Sequence, residues 1–131
     1  MSEENVEVVR RLVEAFNRDD IDAVLAAFTG DCEIDEPPQM PDSPAGGYRG
    51  ADGVREWMEN LRGVAGVSFD VRGATPSGDA LLCEMASRGR GQASDVPIDW
   101  TTFAVFDLRR GKVARIRVFL DRREALEAMG P

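Results

Sequence analysis

The spacing of the apolar residues changes once along the chain, near residue 64, and that change limits the fold more than any other feature. Before it, apolar side chains recur every three or four residues; after it, they alternate. Val6, Val9, Val13 and Phe16 share one face of a helix predicted over 3–17, with Ser2 to cap it and Glu3 and Glu4 at its positive end. Beyond "RDD", Asp20 is placed to cap a second helix carrying Ile21, Val24, Leu25 and Phe28, and Gly30 to end it. A short strand over 31–36 runs into Pro37 and Pro38, and "PPQMPDSPAGG" reads as a loop. Val54, Trp57, Met58 and Leu61 mark a third helix over about 51–62.

Past that point Val67, Phe69 and Val71 alternate with polar residues. "PSGD" turns into a strand over 80–88, and a loop at "GQASDVP" leads to a long strand over 98–108. "RRG" turns into a last strand over 112–120, and Asp121 with Glu124 can cap a short final helix. The order is α-α-β-α-β-β-β-β-α, without a repeat or an interdomain linker, so residues 1–131 are expected to form one α+β domain, a curved sheet with helices on a single face. The strand "IDWTTFAVFDL" is apolar on both faces: Trp100, Ala104 and Phe106 share one, Phe103 and Val105 the other. A sheet apolar on both sides needs cover on both. The helices cover one; a second copy of the chain is the expected cover for the other, in a homodimer built on Trp100, Ala104 and Phe106.

Composition narrows the chemistry. The chain has no histidine, which excludes Ser-His-Asp and Cys-His catalysis and any histidine-based metal site. No phosphate-cradling glycine loop of the GxxxxGK[ST] or GxGxxG type occurs. Lys112 is the sole lysine and Tyr48 the sole tyrosine, so acid–base work falls to carboxylates. Cys32 and Cys83 stand far apart in no metal-like spacing and are expected to be reduced, packed thiols, with no metal and no cofactor. A net charge of −8 argues against nucleic acid and anionic membrane surfaces as partners. No apolar run is long enough for a bilayer, and the acidic start "MSEENVEVV" is unlike a signal peptide, so a cytoplasmic protein is expected.

Three acids crowd the double proline in "CEIDEPPQ". Alternate residues of a strand face opposite ways. Ile34 is the apolar member and should face the core; Glu36 shares its parity, while Glu33 and Asp35 point to solvent. A carboxylate turned into an apolar core is expected to titrate above its reference of about 4.3, as a base working near neutral pH requires. If the strand instead ends one residue early, Glu36 is a wet loop residue.

"VVRRLVEAFNRDDIDAVLAAFTGDCEIDEP", together with "GYRGADGVREWMENL" and "LRRGKVARIRVFLDRREALEAMG", resembles the SnoaL-like and ketosteroid isomerase-like members of the nuclear transport factor 2-like superfamily, over nearly the whole chain. The resemblance implies a cone-shaped, curved mixed sheet wrapped around the N-terminal helices, a deep pocket and frequent dimers. In the isomerases an aspartate before a proline at the end of the first strand is the general base, and Glu36 before Pro37 holds that place. The positions of the isomerases' two enolate-binding donors fall on Leu12 and near Phe103, which can donate nothing, so steroid isomerisation itself is not expected.

"PID" at 97–99 resembles the isomerase motif locally, and Asp99 is either a second inward acid or a loop-edge acid in solvent. Phe16, Phe103 and Ile116 are also expected to border the pocket. Trp57, Met58 and Leu61 form either the pocket floor or plain helix–sheet packing. Tyr48 either closes over a ligand or caps the core edge. The expected function is a pocket for a small, mostly apolar or carbonyl-containing molecule, with Glu36 and Asp99 as acid–base groups of a cofactor-independent isomerase, cyclase or epoxide hydrolase. The alternatives are a non-catalytic binding protein and a dimeric interaction module.

Overall fold

Glu3 and Glu4 stand at the positive end of the first helix, α1 (Ser2–Asn17), whose buried face carries Val9, Leu12, Val13, Ala15 and Phe16. The computed structural model describes residues 2–37, 46–61, 64–91 and 96–129. Helix α1 closes with Asp19 in the left-handed region (φ 58°) and a bond from the Asp20 amide to the Ala15 carbonyl, 2.9 Å, a 6→1 closure usually built on glycine. Asp20 then starts the next helix, α2 (Ile21–Ala26), its carboxylate accepting from the Ala23 amide at 3.2 Å. The sequence pattern carries this helix on through Phe28 to Gly30. Instead the chain becomes extended at Phe28, because that side chain is buried in the sheet and the Val113 amide bonds the Ala27 carbonyl at 2.8 Å.

Strand β1 (Phe28–Asp35) is followed by the two-residue β2 (Tyr48–Arg49) and helix α3 (Gly50–Leu61). Most of the predicted proline-rich loop, 38–45, lies outside the described residues, as do 62–63 and 92–95. Four long strands follow: β3 (Val64–Ser77), β4 (Ala80–Gly91), β5 (Pro97–Arg109) and β6 (Lys112–Phe119), then helix α4 (Arg122–Met129). The α+β order expected from periodicity is present, with β2 as the one added element. The six strands form one curved, mixed sheet in the order β2-β1-β6-β5-β4-β3, consistent with the cone-shaped fold. All neighbours are antiparallel except β1 and β6, which run parallel.

Helices α1 and α3 pack against the concave face, where Ile34, Val54, Leu81 and Val113 are almost wholly buried. Burying a side chain of that size stabilises the fold by about 1.5–3 kcal/mol. Two expectations about the faces are corrected here. The helices do not share a single face: α4 lies on the convex side, where Ala125 packs against Leu82 and Val105, with Phe103 and Phe119 beside them. And Trp100, Ala104 and Phe106 are on the concave side, against α1 and α3, so this stripe offers no dimer surface. Along β5 the even-numbered residues point into the cone and the odd-numbered ones away from it. The convex face also carries charged pairs: Asp35 with Arg115 at 2.9 Å and Arg49 at 3.3 Å, and Glu33 with Arg49 at 3.3 Å.

Candidate functional site

Asn17, the last residue of α1, fixes the position of the first wall. Its side-chain amide donates to the Phe69 carbonyl at 2.9 Å, and its oxygen accepts from the Phe69 amide at 2.9 Å. The helix end is thereby docked on β3 as another strand would be. This sets Phe16 against Phe69, ring centres 4.9 Å apart, and Trp57 of α3 closes on the other side at 5.4 Å. Between these rings and the sheet lies a cavity of about 70 Å³. Helix α1 contributes Leu12, Val13 and Phe16, and α3 contributes Trp57 and Leu61. Phe69 and Met85 come from β3 and β4; Trp100, Thr102, Ala104 and Phe106 from β5; Ile116 and Val118 from β6. The volume is about half the ~150 Å³ that holds a benzene ring in an engineered apolar cavity, so a larger molecule must project through the mouth.

The polar side of this wall is Glu36. Strand β1 ends at Asp35, one residue earlier than expected, yet Glu36 keeps the inward direction of Ile34 and lines the cavity, half-buried. Behind it stands Tyr48, 2% exposed, held by the pairing of β2 with β1 at Ile34. The Asn60 side-chain amide donates to the Tyr48 hydroxyl at 2.8 Å. The hydroxyl in turn bonds the Glu36 carboxylate. Burial pushes the Tyr48 phenol above its ordinary titration range; the Asn60 bond opposes this, while the charges of Glu36 and Glu56 and the hydrogen bond to Glu36 add to it. Glu36 is the only ionisable group among the described residues that line the cavity.

The structure brings together six of the nine residues singled out from sequence. Glu36, Phe16, Trp57, Leu61 and Ile116 line the cavity, and Tyr48 backs Glu36 from the core edge. Met58 is buried in the helix–sheet core and is not part of the wall. Phe103 packs on the convex face beside α4, because its odd position on β5 turns it outward; Thr102 and Ala104 line the cone on either side of it. Asp99 has the same parity, is exposed opposite Arg88, and does not reach Glu36. Leu12 does line the cavity, where the resemblance puts a tyrosine donor. Phe69, Met85, Trp100, Thr102 and the docking Asn17 were not singled out as pocket residues. A consistent inward parity along β5 would have found Trp100 and Thr102; nothing in the sequence marks Asn17 as bonding a strand 52 residues on.

Both thiols are buried. Burial pushes Cys83 up to about 12, with Arg10 opposing, and burial is also the main influence raising Cys32. Neither is suited to act as a thiolate nucleophile. Among the described residues no group of three acids or cysteines is placed to hold a metal ion, and no helix is long and apolar enough to cross a membrane.

The model of the SnoaL-like domain matches residues 9–116. The chain belongs to the SnoaL-like domain family. Among curated proteins, none matches the sequence significantly. Solved structures share the SnoaL-like fold of this chain. TerC, co-crystallised with polyporic acid, superposes with a TM-score of 0.79 at 20% identity, over 98% of this chain and 99% of that one. SalBIII, an epoxide hydrolase/cyclase-like enzyme in pyran ring formation in the polyether salinomycin, gives 0.77 at 20% identity, over 93% and 94%. A protein with a ketosteroid isomerase-like fold from Catenulispora acidiphila DSM 44928, in complex with trimethylamine, gives 0.74 at 15% identity, over 88% and 86%. At these identities the likeness extends to the fold.

Proposed function

We propose that this SnoaL-like protein binds a small, mostly apolar molecule in the cone, with the polar end of that molecule on Glu36. The observation that carries the reading is that, among the described residues of the wall, Glu36 is the single acid beside aliphatic and aromatic side chains, Met85 and Thr102. Apolar pockets with a few placed polar groups are the usual form of a ligand site. The small molecules bound by TerC and by the Catenulispora protein give the reading a precedent within the fold.

The test uses the chain's own reporters. Its two tryptophans, Trp57 and Trp100, both line the cavity. A ligand entering the cone is expected to shift their emission saturably in the wild-type protein. Ala104→Phe, which fills the cavity from β5, is expected to abolish the shift. A saturable shift that survives Ala104→Phe would place the ligand elsewhere and reject the reading.

A second reading makes Glu36 a general base that takes a proton from carbon or activates a water, without a cofactor. Its support is the hydrogen-bonded arrangement behind the carboxylate, in which Asn60 holds Tyr48 and Tyr48 holds Glu36. On this reading Glu36→Gln is folded, retains the ligand response to a neutral substrate, and has no turnover, because an amide cannot take the proton. Turnover at the wild-type rate in Glu36→Gln rejects it.

A further inference from the structure

We propose that the hydroxyls of Ser87 and Thr102 form an uncharged polar subsite on the β4–β5 side of the cone, selecting ligands that carry a carbonyl, ether or hydroxyl oxygen at the end remote from Glu36. The inference rests on the reading of the cone as the ligand site; it requires nothing of the charge of Glu36.

The first observation is an orphaned group. Ser87 is 1% exposed, and its hydroxyl has no hydrogen-bond partner among the described residues. Buried polar side chains are nearly always bonded, and one that is not is held at a cost to the fold. Ser87 keeps the parity of Leu81, Cys83 and Met85 on β4, all of which face the concave core, so its side chain is turned toward the cone.

The second observation is what surrounds it. The register sets Ser87 between Phe69 of β3 and Trp100 of β5, directly across the strands from each. Side chains so placed have their Cβ atoms about 4.5–5.5 Å apart. Met85 lies next to it on the same face of β4, and Thr102, opposite Met85, is its diagonal neighbour. Phe69, Met85, Trp100 and Thr102 all line the cavity. A serine between two large rings makes the floor of a slot, with its oxygen lying below their inner edges. Trp100 is half-buried, so a movement of that ring, rather than of the sheet, admits a ligand oxygen to Ser87.

The third observation is the chemistry at this end. Thr102 is the one hydroxyl-bearing side chain among the described residues that line the cavity. A hydroxyl both donates and accepts, so the pair serves a carbonyl, an ether or an alcohol. No lysine or arginine is present among the described lining residues, and β5 and β6 stand between β4 and the strand that leads to Glu36. A charged group at Ser87 would be buried without an ionic partner, which costs far more than burying a neutral oxygen held by hydroxyls.

The experiment titrates Trp57 and Trp100 emission with two probes of nearly the same shape, cyclohexanone and methylenecyclohexane, which differ by a carbonyl oxygen against a methylene group. Each probe is compared between wild type and variant, so that the difference in their hydration cancels. Ser87→Ala and Thr102→Val remove a hydroxyl with little change of volume. Each is expected to weaken cyclohexanone by about three- to tenfold and to leave methylenecyclohexane within about twofold of wild type. Without ligand, Ser87→Ala is expected to unfold in urea at the wild-type midpoint or above it, because a hydroxyl without a partner adds nothing to the fold. Thr102→Val carries the test where Ser87→Ala does not fold. If either folded variant weakens cyclohexanone no more than methylenecyclohexane, the subsite is overturned while the cavity stands as the ligand site. A lower urea midpoint for Ser87→Ala also overturns it, since the hydroxyl would then be held within the protein. No saturable response of the wild type to either probe overturns the subsite too, and where no other apolar molecule perturbs the tryptophans the cavity reading goes with it.

Discussion

Glu36 and its neighbours Glu33 and Asp35 show how one residue of displacement decides a role. The three acids lie within four positions, but the pleat sends Glu36 into the cone and the other two to the convex face, where Arg49 and Arg115 meet them. That direction was legible because Ile34 is a strong internal reference for the parity of β1. Glu33→Gln and Asp35→Asn are therefore expected to leave the tryptophan response to ligand unchanged. Each should cost about 1 kcal/mol or less in urea denaturation, since partly exposed ion pairs contribute little. Asp99 was not legible in the same way. A short local motif suggested an inward acid, whereas the inward set on β5 is the even-numbered one, and a shift of one residue exchanges the two faces of a strand completely. Cys83 makes a separate prediction. Its folded-state thiol titrates above its ordinary value because it is buried, so folding favours the neutral form. That contribution is intact below 9.0 and is lost as the pH climbs from 9.0 through about 12. Urea denaturation at rising pH should show stability falling over this window, with a smaller fall in Cys83→Ala; equal slopes in the two proteins would show that Cys83 is not the group responsible.

At the scale of elements, helices and long strands were readable from periodicity, and the discrepancies have local causes. Strand β2 has two residues, too few to show any period, and exists because Tyr48 and Arg49 pair with Ile34 and Glu33. Helix α2 ends early because Phe28 is taken by the sheet, a tertiary effect stronger than helical spacing. The α1–β3 junction depends on Asn17, whose two bonds to Phe69 hold the aromatic wall of the cavity. Asn17→Ala is expected to cost about 1–3 kcal/mol by urea denaturation and to weaken the ligand response by moving Phe16 and Phe69 apart. Gly53 in α3 makes a test of opposite sign to simple propensity. Glycine to alanine in a helix ordinarily gains about 1 kcal/mol. Here the added methyl would lie 2.9 Å from the Tyr48 carbonyl carbon, so Gly53→Ala is expected to lower the midpoint and to disturb the support behind Glu36.

For the molecule as a whole, the α+β class and the single curved sheet followed from the one change of period, while the assignment of faces did not. Apolar residues on both sides of β5 required cover on both sides, but the assignment of a second copy to Trp100, Ala104 and Phe106 was wrong: that stripe faces the cone, and α4 covers Phe103 and Val105 on the other side. Helix α4, eight residues long, is a cover for the convex face, with Ala125 packed on Leu82 and Val105. Deleting residues 122–131 is expected to expose Leu82, Phe103 and Val105 together. The shortened chain should bind a fluorescent apolar dye and self-associate in sedimentation experiments, and a monodisperse monomer with no dye binding would show that the helix is not needed as cover.

The parallel pairing of β1 with β6 has a consequence for how the protein is made. Asp35 and Arg115, bonded partners on those two strands, are separated by 80 residues. At a synthesis rate of about 5–20 residues per second, roughly 4–16 seconds pass between the polymerisation of one and of the other. Throughout that interval the nascent chain carries β1, with Phe28, Cys32 and Ile34, as a strand whose inner neighbour does not yet exist. The wall that bears Glu36 can meet the wall that bears Ile116 only after β6 has been synthesised. A ribosome paused within β5 would thus hold α1, α2, α3 and the β3–β4 hairpin but no complete cavity wall, because β6, with Ile116 and Val118, is still to be made.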